Sequence, residues 1–148
     1  MEIYLEPVNI FVGTFIGAPS MNILSARLFP EFVELEGQRL FFKRRIDPEH
    51  IKIPGKGKAI KLGIRPDFFL DAEFVEGEAA LSRIENVKVD IVEPLGFDRE
   101  LDVQMGNQSL KARLDLRTSA REGDFLNLCF DMNRAHFFDI ETEKRISI

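Results

Sequence analysis

Apolar and polar positions alternate along much of this chain. Leu101, Val103 and Met105 sit two apart, as do Leu110, Ala112, Leu114 and Leu116, with charged or amide side chains between them. A period of two places one set of side chains on a buried face and the other in water, so each run predicts a strand. Gly106-Asn107 between them suits a two-residue hairpin loop, with glycine first as a type II′ turn prefers. Charge tests the register. Pairing Met105 with Gln108 sets Val103 opposite Leu110, Asp102 opposite Lys111 and Glu100 opposite Arg113. Apolar then meets apolar on one face and opposite charges meet on the other.

The same reading extends to both sides. Val87, Val89 and Ile91 alternate with Lys88, Asp90 and Val92, which predicts a strand with those first three on one face. Glu93-Pro94-Leu95-Gly96 follows, with proline second and glycine fourth, the pattern of a type I turn. Arg121-Glu122-Gly123-Asp124 predicts a turn into a strand over Phe125–Asp131, where Leu126, Leu128 and Phe130 share a face. Glu36-Gly37 separates strands over Phe32–Leu35 and Arg39–Lys43. Lys61–Ile64, Phe137–Ile140 and Arg145–Ile148 complete the set. Many short strands with regular turn punctuation point to a mainly β fold, a small barrel or sandwich, rather than an alternating α/β sheet.

The N-terminal stretch differs. Val8, Phe11, Val12, Phe15 and Ile16 are spaced as the stripe of a helix, with Pro7 in its first turn, Gly17 after its end and Pro19 beyond. Its other faces carry no charge, so a short helix here gains stability by packing against other protein. The uncharged run from Pro7 to Ala26 contains two prolines, two glycines and several Asn and Ser residues, too many for a membrane span.

Three Phe-Phe pairs, Phe41-Phe42, Phe68-Phe69 and Phe137-Phe138, put a ring on both faces of any strand that holds them. Either one ring of each lies at a barrel end or under a loop, or another lobe or subunit covers the second face.

Composition adds limits. The chain has 148 residues, enough for one domain or two small intertwined lobes with a core of their own, and a formal net charge of −5. That balance disfavours general nucleic-acid binding. Its one cysteine excludes an intrachain disulfide and fits a reducing compartment. Charge is uneven: Lys43 to Lys61 holds seven Lys or Arg against two acids, about +5, which leaves about −10 for the rest. A solvated loop, an anion site and a dock for an acidic partner all fit that asymmetry.

Chemistry is sparse. Pro54-Gly55-Lys56-Gly57-Lys58-Ala59 lacks the spacing and hydroxyl of a phosphate loop. Cys129 sits between Leu128 and Phe130 as a small strand hydrophobe rather than as a nucleophile for His136. With His50, His136 and Cys129 alone, no metal-ligand spacing exists.

Four segments, in order, resemble one family. "EIYLEPVNIFVGTFIGAPSMNIL" (Glu2–Leu24), "LGIRPDFF" (Leu62–Phe69), "VDIVEPLG" (Val89–Gly96) and "FDMNRAHFFDIETEKRI" (Phe130–Ile146) are similar to the C-terminal part of ATP-binding subunits of sugar and sn-glycerol-3-phosphate ABC importers. The resemblance implies small OB-like barrels of short antiparallel strands, the transport-associated module, preceded by a short helix. Residues 1–20 would then be a helical junction to the nucleotide-binding domain, and 21–148 a regulatory and dimerising domain. It implies that the chain itself is not an enzyme and holds no cofactor, ATP and Mg²⁺ belonging to the ATPase domain. Expected partners are a second copy, permease subunits through that domain and a regulatory protein, on the inner face of a cell membrane, with no nucleic acid. Arg65 of "LGIRP" and Glu93, Pro94 and Gly96 of "EPLG" are the expected regulatory contacts. A related barrel that binds small oxyanions such as molybdate, and a nucleic-acid-binding barrel, are the alternatives.

Overall fold

The structure, a computed structural model, describes residues 20–47, 49–76 and 81–147. The expected N-terminal helix over Pro7–Gly17 lies outside them. Among the described residues, ten strands form two five-stranded antiparallel sheets. The first contains β1 (Asn22–Leu28), β2 (Phe32–Leu35), β3 (Gln38–Phe41), β4 (Lys58–Ile64) and β10 (His136–Asp139), in the order β10-β4-β1-β2-β3. The second contains β5 (Leu70–Asp71), β6 (Ser82–Leu95), β7 (Asp98–Met105), β8 (Gln108–Asp115) and β9 (Phe125–Phe130), in the order β5-β9-β6-β7-β8. Short 3-10 turns at Pro66–Phe68, Ala72–Phe74 and Met132–Arg134 connect them. The two sheets curl together into a small OB-like barrel, and their inner faces share one core that includes Leu35, Leu40, Val87, Val103, Ala112 and Leu128.

The β7–β8 hairpin has the register that charge predicts: Met105 pairs with Gln108, Val103 with Leu110, Asp102 with Lys111 and Glu100 with Arg113. Gly106 has a φ of +59° and Asn107 is not among the positive-φ residues, as a type II′ loop requires. At Glu36-Gly37 both φ values are positive, 47° and 81°, which makes the β2–β3 loop the other twisted type, I′. Arg121–Asp124 also turns as expected, closed by the Asp124 amide donating to the Arg121 carbonyl at 2.9 Å.

Three sequence expectations need correction. Glu93–Gly96 is not a type I turn. β6 runs through it to Leu95, pairing Glu93 with Glu100 and Pro94 with Arg99, and the loop is Gly96-Phe97. Gly96, at φ +69°, repeats the glycine-first pattern of Gly106, and the strand tolerates Pro94 because β9 no longer flanks β6 there. Ile91 does not share a face with Val87 and Val89. A bulge at Asp90 adds one residue, so Val92 turns toward the core and Ile91 is 52% exposed. Among the described residues of the expected Arg145–Ile148 strand, Arg145 forms an isolated bridge to Phe138 and no strand is present.

The sheets meet at two seams where side-chain amides replace the backbone ladder. At one, the Gln38 Nε2 donates to the Glu85 carbonyl at 2.9 Å while the Glu85 amide donates to Gln38 Oε1 at 2.7 Å. At the other, Asn22 pairs with both backbone groups of Lys111 at 2.8 Å, and Gln108 with those of Ser25 at 2.7 and 2.9 Å. A carboxamide carries one donor and one acceptor side by side, so it copies the pairing face of a strand residue. The ring β1-β2-β3-β6-β7-β8 is thereby closed. Between the seams, Glu36 reaches from one hairpin loop to the other and accepts the Asn107 amide at 2.7 Å.

The phenylalanine pairs divide. Phe137 joins the main core and meets Phe42 edge-on at 6.0 Å, while Phe138 is buried on the opposite face of the sheet. Met21 and Gly63 lie against Phe138 there, so this chain itself covers part of the second face. Phe69 is buried and Phe68 lies beneath the Arg134 guanidinium, 4.8 Å from the ring centre, in a 3-10 turn rather than a strand. Phe41 alone of the six is exposed, at 60%.

Replacing Gln108 by Ala removes both bonds to Ser25 and is expected to cost about 1–2 kcal/mol, lowering Tm by roughly 3–6 °C, whereas Ser109→Ala on the exposed face changes little. Urea melts of the two variants side by side measure this. Gly63→Ala is expected to destabilise by about 1–3 kcal/mol, because a methyl there would sit 2.7 Å from Met21 Cε and 2.9 Å from the buried Phe138 ring. Pairing it with Met21→Ala, which vacates that space, recovers part of the loss in the same melt.

Candidate functional site

The expected contact residues fall into two unlike settings. Beyond Asp90, β6 has left β9 and pairs with β7 alone, so the far end of this hairpin projects from the sheet. Glu93, Pro94, Leu95, Gly96 and Phe97 are all exposed there, Phe97 at 89%. Glu93 faces Glu100, whose side chain is only 14% exposed and lies 3.4 Å from Lys111 Nζ and 3.7 Å from an Arg113 nitrogen. Lys111 also donates to Asp102 at 2.9 Å, and that bond is the main reason its ammonium is held above the usual lysine range. Glu100 is therefore balanced from β8, whereas Glu93 adds a like charge opposite it, an arrangement that does not help the sheet. The tip offers Glu93 flanked by Ile91, Leu95 and Phe97, a contact surface rather than a catalytic cluster.

Arg65 is the opposite case. It follows β4, caps the Pro66–Phe68 turn with its carbonyl accepting the Phe68 amide at 3.0 Å, and is fully buried. A buried guanidinium is costly unless the protein engages it, and Arg65 is so engaged. It is internal and not exposed beside Glu93.

Cys129 is buried on β9, and loss of solvent pushes its thiol above the ordinary range, which makes it a poor nucleophile. His136 is buried on β10. Among the described residues no group of three or more His, Cys, Asp or Glu is placed to hold a metal ion. No helix among them is long and apolar enough to cross a membrane.

The basic segment connects β3 to β4, and part of it is tied down. Lys58 lies 3.6 Å from Asp139, Arg45 lies 3.5 Å from Glu31, and Lys61 donates to Ser25 at 2.8 Å. Lys43 and Arg44 have no acidic group within 4 Å among the described residues. They flank a cleft of about 890 Å³ between β3 and the start of β6, whose rim also holds Arg39, Arg45 and Arg83. The charge asymmetry in the sequence marks the loop, but not the cleft. Arg83 joins the rim only because the Gln38–Glu85 seam brings β6 beside β3.

Comparison with known proteins places this architecture. No family model matches the chain. It is 36% identical over 148 residues to the oligosaccharides import ATP-binding protein MsmX of Bacillus subtilis, covering 98% of this chain and 40% of that protein. It is 32% identical to the trehalose/maltose import ATP-binding protein MalK of Thermococcus litoralis, covering 98% of this chain and 39% of the relative. It is 35% identical to the sn-glycerol-3-phosphate import ATP-binding protein UgpC of Psychromonas ingrahamii, covering all of this chain and 38% of the relative. The chain thus spans about two fifths of the length of the relatives it matches. With its barrel fold, it belongs to the family of sugar and sn-glycerol-3-phosphate importer ATP-binding proteins, as the C-terminal part.

Proposed function

We propose that this chain is the regulatory and dimerising region of an ATP-binding subunit that energises uptake of a sugar or glycerol-3-phosphate-like solute. The observation that carries this reading is the match itself, which takes in nearly the whole of this chain but only about two fifths of each relative. Residues 1–20 serve as the junction to the nucleotide-binding region and 21–148 as the regulatory unit. ATP and Mg²⁺ bind elsewhere in the whole protein, and this chain is catalytically silent. The whole protein lies on the inner face of the cell membrane, held by permease subunits that its ATPase region contacts.

Within that reading, Glu93, Pro94 and Gly96 shape the tip of the β6–β7 hairpin as a contact for a second copy or a regulator. The support is physical: a rigid two-residue loop presents the exposed Phe97 and Leu95, and a charge that the sheet does not need. Arg65 acts from inside, holding the Pro66–Phe68 turn rather than touching a partner.

The purified chain is expected to show no saturable ATP hydrolysis; turnover that persists through a contaminant control refutes its silence. In the full-length transporter, Glu93→Gln is expected to leave folding intact and change the regulation of ATPase activity. Unchanged stability together with unchanged regulation makes the hairpin tip purely structural. Light scattering at stated concentrations is expected to show a dimer that Phe97→Ser weakens, and a strict monomer at high concentration removes the dimerising role.

A further inference from the structure

The Gln38–Glu85 seam closes the barrel at one point and leaves two strand edges diverging from it. On β3, the two-residue loop makes Leu35 and Gln38 a bonded pair, and the Phe42 amide donates to the Glu31 carbonyl. Alternation therefore turns the N–H and C=O groups of Arg39 and Phe41 away from β2, into the cleft. Across from them, β6 does not reach β7 until Lys88, and the Glu85 backbone points toward β3. The same alternation aims the Arg83 backbone into the cleft. Two rows of strand hydrogen-bonding groups thus border a space of about 890 Å³.

An open edge of this kind is a template for another strand. Its charge selects which one. Arg39, Lys43, Arg44, Arg45 and Arg83 outnumber the acids of the rim, Asp47, Glu85 and Asp131. A second copy docked along this edge would bring two basic rims together, so like-charge repulsion opposes pairing between copies. The floor is apolar, with Leu40 and Ile46 buried and Phe42 and Met132 packed on the core, while Phe41 stands exposed outside. We propose that the cleft between β3 and β6 receives an extended acidic segment of a partner protein, added as a strand along β3. Such a segment alternates aliphatic side chains, directed at the floor, with Asp or Glu directed at the basic rim, and main-chain bonds to Arg39 and Phe41 hold it. Docking of this kind needs only the chain's own cleft, whether or not the chain regulates an ATPase.

Fluorescence anisotropy of a labelled short peptide alternating valine and glutamate tests this with the chain itself. Saturable binding that salt weakens is expected, and methylating the peptide's backbone nitrogens abolishes it. Arg83→Glu, at an exposed position, is expected to weaken binding roughly tenfold. Phe41→Pro removes an outward donor without touching the β2 ladder and is expected to lose binding while the thermal melt stays close to that of the parent. If that variant fails to fold, Arg83→Glu and the methylated peptide decide. Absence of binding, equal binding of the methylated peptide, or binding unaffected by Arg83→Glu overturns the proposal. So does tighter binding of an oligothymidine to the same cleft, or a dimer in light scattering that Phe41→Pro or Arg83→Glu dissociates and Phe97→Ser does not, which would put a second copy in the cleft.

Discussion

The barrel is closed by carboxamides. Two sheets with ordinary ladders could lie against each other at many offsets, since apolar packing is non-directional. Asn22, Gln38 and Gln108 remove that freedom, because each must present its oxygen to an N–H and its nitrogen to a C=O of one particular residue. Their spacing on the β1–β8 seam, Asn22 with Lys111 and Ser25 with Gln108, sets both the offset and the antiparallel direction. Each bond is modest in net energy; their value is that a slip of one residue breaks several at once.

β6 supplies the second constraint. At fourteen residues it pairs first with β9 and then with β7, and it cannot follow both without bending. Two irregularities provide the bends. At the first, Asn86 adopts a φ of 54° and its amide donates to the Asn127 side chain, which leaves the neighbouring Glu85 backbone for Gln38. At the second, the carbonyls and amides of Val89 and the Gly123–Asp124 turn bond one another while Asp90 is extra. The seam, the cleft and the projecting hairpin all follow from where this strand bends. Bulges beside a binding surface re-aim side chains in this way.

The two surfaces that result differ in sign. The hairpin tip carries Glu93 among exposed apolar side chains, and the cleft carries the basic rim around an apolar floor. They lie on different parts of the barrel and ask for different partners. In a chain with net charge −5, concentrating positive charge on one concave surface makes that surface electrostatically distinct from the rest.

Much of this was written in local pattern. The β7–β8 register followed from period-two alternation and opposite charges, and the glycine-first and Glu-Gly loops followed from φ requirements that few residues meet. Those features depend on neighbours a few residues apart, so a sequence displays them. The end of β6 is not legible locally, because Glu-Pro-Leu-Gly satisfies a turn rule, whereas the loss of β9 as a neighbour is what lets Pro94 stay in a strand. Ile91 and Val92 exchanged faces because a bulge is set by the partner strands, not by the alternating residues themselves. Arg65 was legible as a notable residue but not as a buried one, since burial is decided by what packs on it. Asn22, Gln38 and Gln108 look like ordinary polar positions in sequence, and Arg83 like any surface arginine. Only closure of the barrel, which brings together residues separated by 47 to 89 positions, makes the first three its fasteners and the last a wall of the cleft.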